Sequence, residues 1–264
     1  MAKAAFIGVG NMGGALAKAA CKSLGADKVA VSNRTYLKAE KLSNEIGCRA
    51  YSTNREAAQE AEYIFLCVKP NQIQKVIQEL APILEGKILV SVAAGVTLEE
   101  LQGWAGEGIP VLRIMPNTAC EIGKGMTALA GGKTAEEKHF AEVEKILACS
   151  GLVERLEEEM IDPYNAVAGC GPAFVYPYIE ALADGGVLVG LHRDEAIRYA
   201  AQMVMGAAAM VLETGEHPGK LKDAVCSPGG LTIEGVAELE RHGLRAAAID
   251  AVVAAWRKGK SYKG

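Results

Sequence analysis

The start of the chain restricts its fold more than any other stretch. The short apolar run Lys3-Ala4-Ala5-Phe6-Ile7 leads directly into Gly8-Val9-Gly10-Asn11-Met12-Gly13, and a helical pattern follows over 15–24. A Gly-x-Gly-x-x-Gly between a strand and a helix is the arrangement with which a βαβ unit holds a dinucleotide. Gly8 allows the sharp turn, Gly10 lets a pyrophosphate approach the backbone, and Gly13 lets helix and strand pack closely. The free N–H groups and positive end of the new helix then face the phosphates, flanked by Asn11 and Met12. The alternative is a glycine-rich turn without a ligand; the strand before it and the helix after it favour the nucleotide site.

The next strand carries the cofactor preference. Lys28-Val29-Ala30-Val31-Ser32 is predicted as the second strand, and it ends in Asn33-Arg34-Thr35. NAD enzymes place a carboxylate at this end to accept the ribose hydroxyls. Asp27 precedes the strand and so lies at the wrong end. The residues at the right end are neutral or cationic. A carboxylate would repel a 2′-phosphate, whereas an arginine fork can grip one. NADPH is therefore expected, with NADH the weaker cofactor. The plainer alternative leaves Arg34 solvated at a helix start.

The 264 residues, half of them hydrophobic, allow one large or two smaller domains with a full core. A net charge of −4 gives no support to nucleic-acid binding, and the basic tail (Arg257, Lys258, Lys260, Lys263) reads as a solvated end. Seven scattered cysteines, without a C-x-x-C or a Cys/His cluster, suggest reduced thiols in the cytoplasm and no metal site. The first strand takes up the N-terminus, so no signal peptide is expected. The most apolar window, 173–191, contains Pro177, Glu180, Asp184 and the Gly185-Gly186 pair. It is expected to be a buried helix and not a membrane span.

The chain divides near residue 160. Before it, apolar runs recur at 4–9, 29–31, 63–68, 88–92 and 111–115. Helical stretches lie between them, with capping-box starts at Thr53/Glu56, Thr97/Glu100 and Thr134/Glu137. This alternation predicts a Rossmann-type α/β domain over 1–160, a doubly wound and mainly parallel sheet. After it the strand signals stop. Helices are expected at about 160–168, 172–190, 193–214, 217–226, 231–242 and 244–258, an all-α domain over 161–264. Residues 199–212 carry no charge, and 243–256 carry only Arg245 and Asp250. Helices apolar on nearly every side must be buried on nearly every side, which ~100 residues cannot do alone. The helical domain is thus expected to pair with a second copy.

In doubly wound sheets ligands lie outside the carboxyl ends of the strands. Val68, Lys69, Pro70 and Asn71 leave the fourth strand, with Pro70 suited to a first helical turn, and their backbone could line the nicotinamide end of the cofactor. Lys69 reads more simply as solvated or phosphate-facing than as a catalyst. Ser91-Val92-Ala93-Ala94-Gly95 closes the next strand with small residues, against which a flat ring can lie. Asn117, after Met115-Pro116, either bonds a carboxamide or substrate or caps a turn. In the second half, Ser227-Pro228-Gly229-Gly230-Leu231-Thr232 has the makings of an anion nest at a helix start. The alternative makes Thr232 or Ser227 an ordinary N-cap.

A carbonyl reduction must deliver a proton to oxygen, so it needs a His or Lys near the reacting carbon. No lysine occurs over 151–219, and His139, His192, His217 and His242 fall in polar segments expected to be exposed. A cyclic imine can arrive already protonated and needs only a hydroxyl to orient its nitrogen.

Over essentially its full length the chain resembles the pyrroline-5-carboxylate reductases. The resemblance rests on Gly-x-Gly-Asn-Met-Gly at 8–13, Val68-Lys69-Pro70, Ala93-Ala94-Gly95-Val96, Arg113-Ile114-Met115-Pro116-Asn117-Thr118, Gly169-x-Gly171-Pro172-Ala173, Ala181-Leu182-Ala183-Asp184-Gly185-Gly186-Val187, and Leu221-Lys222-Asp223 running into the 227–232 turn. It implies hydride transfer from NADPH to C5 of the pyrroline ring, giving L-proline, in a homodimer or higher homo-oligomer whose site involves helices of the dimer. It also implies that Ser227, Gly229, Gly230 and Leu231 hold the substrate carboxylate and that Thr232 bonds the ring nitrogen. Asn33, Arg34 and Asn54 would meet the adenosine ribose and its phosphate, and 68–71 and 93–95 would flank the nicotinamide. The chain departs from the family pattern at Cys170, where serine is common, at Ala119, where proline is common, and at Leu231. The rival readings are another NADP-dependent imine or hydroxyacid reductase, and a non-catalytic nucleotide-binding protein.

Overall fold

A computed structural model describes residues 1–260; Lys263 of the basic tail lies outside them. Two compact units emerge. One comprises Met1–Gly169 together with residues 256–260, and the other is Cys170–Ala255.

The first unit is built on an eight-stranded sheet in the order β3-β2-β1-β4-β5-β6-β7-β8. Its elements in chain order are β1 (Ala4–Ile7), α1 (Asn11–Leu24), β2 (Val29–Ser32), α2 (Tyr36–Ile46), β3 (Arg49–Tyr51), α3 (Asn54–Gln59), β4 (Tyr63–Leu66), α4 (Pro70–Leu80), β5 (Ile88–Ser91), α5 (Leu98–Ala105) and β6 (Val111–Pro116). They continue with β7 (Gly125–Gly131), α6 (Glu137–Leu147), β8 (Gly151–Arg155) and α7 (Ile161–Tyr164). Every residue of β1, β4 and β5 is buried, as strands covered on both faces must be. One face carries Ile7, Ile64, Leu66 and Leu89 against Ile73, Ile77 and Leu80 of α4 and Leu101 of α5. The other carries Phe6, Val31, Phe65 and Val90 against Leu16 of α1, Leu42 of α2 and Ile146 of α6. Phe6 and Phe65 stack across neighbouring strands with centroids 4.6 Å apart.

The sheet is parallel from β3 through to β6, and β7 then runs antiparallel to β6. Strands β3, β7 and β8 carry no strong sequence signal. β3 has three residues at a sheet edge, β7 begins and ends in glycine, and β8 is an edge strand ending in Glu154 and Arg155. The capping boxes at Thr53/Glu56 and Thr97/Glu100 form. The one expected at Thr134/Glu137 does not, because α6 starts two residues later. There Glu136 is the N-cap and His139 takes the position of the reciprocal partner. Thr134 Oγ1 instead donates to the Ile109 carbonyl at 3.1 Å. His139, expected to be exposed, is therefore buried, with its Nδ1 accepting from the Glu136 N–H at 2.9 Å.

The second unit is helical: α8 (Gly171–Leu188), α9 (Arg193–Thr214), α10 (Pro218–Ala224), α11 (Leu231–Arg241) and α12 (Leu244–Lys260), the last of which ends in the first unit. Gly186 lets α8 and α9 approach closely; a Cβ there would lie 3.2 Å from Ala196 Cβ. The buried helix expected over 173–191 forms as α8, but within the chain only its Ala183 is buried. Large hydrophobic side chains on these helices are exposed, among them Leu188, Leu212 and Ile249. No helix among the described residues is long and apolar enough to cross a membrane.

Candidate active site

Register brings the ends of four strands level. Ile7 pairs with Ser32 and Leu66, and Leu66 with Ser91. The chain leaves β1 with Gly8 N–H donating to the Ser32 carbonyl at 2.9 Å, and leaves β4 with Cys67 N–H donating to the Ile7 carbonyl at 2.8 Å. The loops after β1, β2, β4 and β5 thus open on one edge. Strand order reverses between β1 and β4, where a doubly wound sheet leaves its ligand crevice.

The three glycines do different things there. Gly8 sits at φ +95°, and a Cβ on it would lie 2.8 Å from Val68 Cγ1. At Gly13 a Cβ would lie 2.2 Å from the Gly8 carbonyl oxygen and 2.8 Å from Cys67 Cβ. Both are demanded by the protein's own packing. Gly10 has nothing within 4 Å of where its Cβ would stand. It is the N-cap of α1, with no side chain capping the helix and no acid in the first turn. Free donors, a positive helix end and open space at Gly10 together fit a dinucleotide pyrophosphate. Asn11 is exposed and Met12 half-buried beside them. The flanking cleft is also lined by Lys18, Lys38 and Lys41, which the motif alone did not reveal. Cys67, packed beneath the turn, is no thiolate, since desolvation pushes it up to about 12.

At the end of β2, Ser32 Oγ donates to Asn54 Oδ1 at 3.0 Å, and Asn54 Nδ2 donates to Glu79 Oε2 at 3.2 Å. Asn33 Nδ2 donates to the Thr35 carbonyl at 3.1 Å. Arg34 is exposed, and no carboxylate pairs with it among the described residues. Lys69 is the N-cap of α4 with Pro70 in its first turn, and Lys69 and Asn71 are exposed beside half-buried Val68. After β5, Ser91 Oγ accepts from Ala93 N–H at 3.2 Å; Ala93 is buried, Ala94 exposed and Gly95 between the two.

Asn117 takes the capping alternative. Its Oδ1 accepts from the N–H groups of Ala119 at 3.2 Å and Met126 at 3.3 Å, and its Nδ2 donates to the Ala168 carbonyl at 3.0 Å. The amide thus ties together β6, β7 and the segment before α8, with one Nδ2 hydrogen left to donate elsewhere.

In the helical unit, Gly230 N–H donates to the Ser227 carbonyl at 3.0 Å, with Gly229 at φ +66° closing the turn. The N-cap of α11 is Gly230 and no side chain caps it, so neither Ser227 nor Thr232 takes the ordinary N-cap role. Leu231 is 95% exposed, and Thr232 is exposed in the second position of the helix. The turn offers backbone donors and a hydroxyl to whatever approaches it. His192, His217 and His242 are exposed in loops and helix ends, away from both glycine turns in sequence. No group of three His, Cys, Asp or Glu side chains that could hold a metal occurs among the described residues.

Known proteins match both halves. Residues 158–262 fit the family model for pyrroline-5-carboxylate reductase dimerisation, and residues 3–95 fit that for NADP oxidoreductase, coenzyme F420-dependent. The pyrroline-5-carboxylate reductase of Escherichia coli K12 is 42% identical over 98% of this chain and 97% of its own. Among solved structures, a pyrroline-5-carboxylate reductase from Coxiella burnetii superposes with a TM-score of 0.92 at 32% identity, covering 100% of this chain and 99% of that one. The pyrroline carboxylate reductase of Plasmodium falciparum, solved with NADP bound, gives 0.88 at 29% identity, covering 100% and 98%. With two turns of the right construction and relatives alike from end to end, this chain belongs to the pyrroline-5-carboxylate reductase family.

Proposed function

We propose that the chain reduces L-1-pyrroline-5-carboxylate to L-proline with NADPH, the last step of proline biosynthesis, and that the two glycine turns divide the binding between them. The observation that carries this reading is a pair of helix N-termini, at Gly10 and Gly230, that no side chain caps. Each leaves backbone donors for an anion.

Gly8, Gly10, Asn11, Met12 and Gly13 hold the pyrophosphate. Asn33 and Arg34 meet the ribose phosphate, with Asn54 held beside them by Ser32. Residues 68–71 and 93–95 flank the nicotinamide. When bound, the reduced nicotinamide supplies the hydride. Ser227, Gly229, Gly230 and Leu231 form the turn whose first helical N–H groups take the substrate carboxylate. Thr232 Oγ1 accepts from the protonated ring nitrogen and sets the face of the C=N bond that is presented. The imine brings its own proton, so the site needs no general acid. Orientation is the protein's main contribution, and alignment of this kind supplies roughly 7–11 kcal/mol in the best intramolecular cases. Asn117 contributes by position, through Ala168. In this reading the dinucleotide domain spans 1–160, and 161–264 forms the homodimer or higher homo-oligomer of a cytoplasmic enzyme.

NADPH absorbance followed with pyrroline-5-carboxylate as substrate tests the reading, and Thr232→Ala tests the assignment. The variant should lose about 100-fold in turnover while NADPH binding is retained. Wild-type protein that leaves NADPH unoxidised sinks the function. A matching loss of NADPH affinity would reduce Thr232 to a folding role.

A further inference from the structure

We infer that Glu158, held in place by the buried guanidinium of Arg113, is a positioning residue for the 92–97 loop. The inference rests on the proposed function, which puts 93–95 beside the nicotinamide. Arg113 lies on β6, level with Ser91 at the end of β5, and is fully buried. Its Nη1 donates to Glu158 Oε1 at 3.0 Å, while its Nε and Nη2 are buried without a hydrogen-bond partner among the described residues. A cation so poorly served is an expensive way to fill a strand, and an apolar side chain would pack there at less cost. What the guanidinium does accomplish is to fix one carboxylate.

That carboxylate has a second task. The same Glu158 Oε1 accepts from the N–H of Leu98, the first residue of α5, at 2.7 Å. The adjoining Thr97 is locked in a reciprocal cap with Glu100, whose Oε2 accepts from Thr97 N–H at 2.8 Å. At the other end of the loop, Ser91 Oγ accepts from Ala93 N–H at 3.2 Å. The loop is therefore tied to β5 at its start and, through Glu158, to β6 at its finish. Its small side chains leave backbone as the surface on which a ring rests, so the placement of that backbone matters directly. A shift of about 1 Å in such a contact can cost 100-fold in rate.

Two double variants separate positioning from stability. Arg113→Met with Glu158→Gln leaves no unpaired buried charge and keeps an acceptor for Leu98 N–H. Arg113→Met with Glu158→Leu removes that acceptor. The Gln pair, whose acceptor survives without the guanidinium that aims it, should lose about 3- to 5-fold in kcat, and the Leu pair, which has no acceptor, roughly 10- to 100-fold. At matched Tm and matched NADPH affinity, the Leu pair should also show faster amide exchange over 92–98. Equal kcat in the two pairs overturns the inference, as does a kcat loss that follows Tm in both. If the wild type fails to oxidise NADPH with pyrroline-5-carboxylate, the functional reading falls instead. Amide exchange then still decides the clamp: faster exchange in the Leu pair supports it, and equal exchange overturns it.

Discussion

Gly10 and Gly13 are three residues apart and identical in chemistry, yet substitution should separate them cleanly. An alanine at 13 must displace backbone, since its Cβ would meet the Gly8 carbonyl at 2.2 Å. Gly13→Ala should cost about 1–3 kcal/mol in urea unfolding. Gly10→Ala meets nothing within 4 Å among the described residues and should cost under about 0.5 kcal/mol. It should nonetheless weaken NADPH about 10-fold or more in a fluorescence titration, because on the proposed cradle its methyl group would stand where the pyrophosphate approaches. A Gly10→Ala variant with wild-type affinity would refute the cradle. Arg34→Glu should raise the Kd for NADPH by roughly 10- to 100-fold and change that for NADH little, the value of a charge-assisted contact to a phosphate. Residues of this kind were legible because their signal is contiguous: each glycine motif is read within six positions. The Arg113–Glu158 pair was not, since 45 residues separate its partners and nothing in either neighbourhood marks them as a pair. For Asn117 the turn cap was one of two readings open in the sequence, but its bond to the Ala168 carbonyl, 51 residues away, was not visible there.

Elements were legible where periodicity and burial agree. The all-buried strands β1, β4 and β5 and the helices from α8 on could be placed from pattern alone. Strand β7 could not, for its seven residues include two glycines and two alanines, and pairing with β6 rather than intrinsic preference makes it a strand. The start of α6 was misplaced for a related reason, since a histidine there substitutes for the usual glutamate or glutamine of a capping box. That substitution makes the helix pH-sensitive. Burial, aided by the charge of Lys138, lowers the His139 pKa below its ordinary 6.5, while Glu136 and Glu62 pull the other way. The neutral ring accepts the Glu136 N–H, and protonation of Nδ1 abolishes that acceptor. Below about pH 6.5 the unfolded chain takes up more protons than the folded one, so stability falls as pH drops through the folded pKa; above 6.5 the contribution is complete. His139→Gln retains an acceptor and should flatten this dependence in denaturant midpoints measured from about pH 5 to 8. Parallel curves for the two proteins would argue against it.

The whole molecule is dominated by what its helical half leaves bare. Leu188 is 87% exposed, Leu212 71% and Leu231 95%, while only Ala183, Ala196 and Ala200 are buried hydrophobics among its described residues. Burying one large aliphatic side chain stabilises by about 1.5–3 kcal/mol, so a second copy covering several of them would supply free energy comparable with a small domain's entire stability. Sedimentation over a wide concentration range should find a dimer or larger species throughout, with Tm rising as protein concentration rises. A folded monomer persisting at high concentration would contradict the pairing. The same bare helices shape how the molecule comes into being. On the proposed pairing, a new chain has to meet a mate before these exposed helices meet anything else. Refolding yield should therefore peak at an intermediate dilution, with encounter too rare on one side and aggregation too quick on the other.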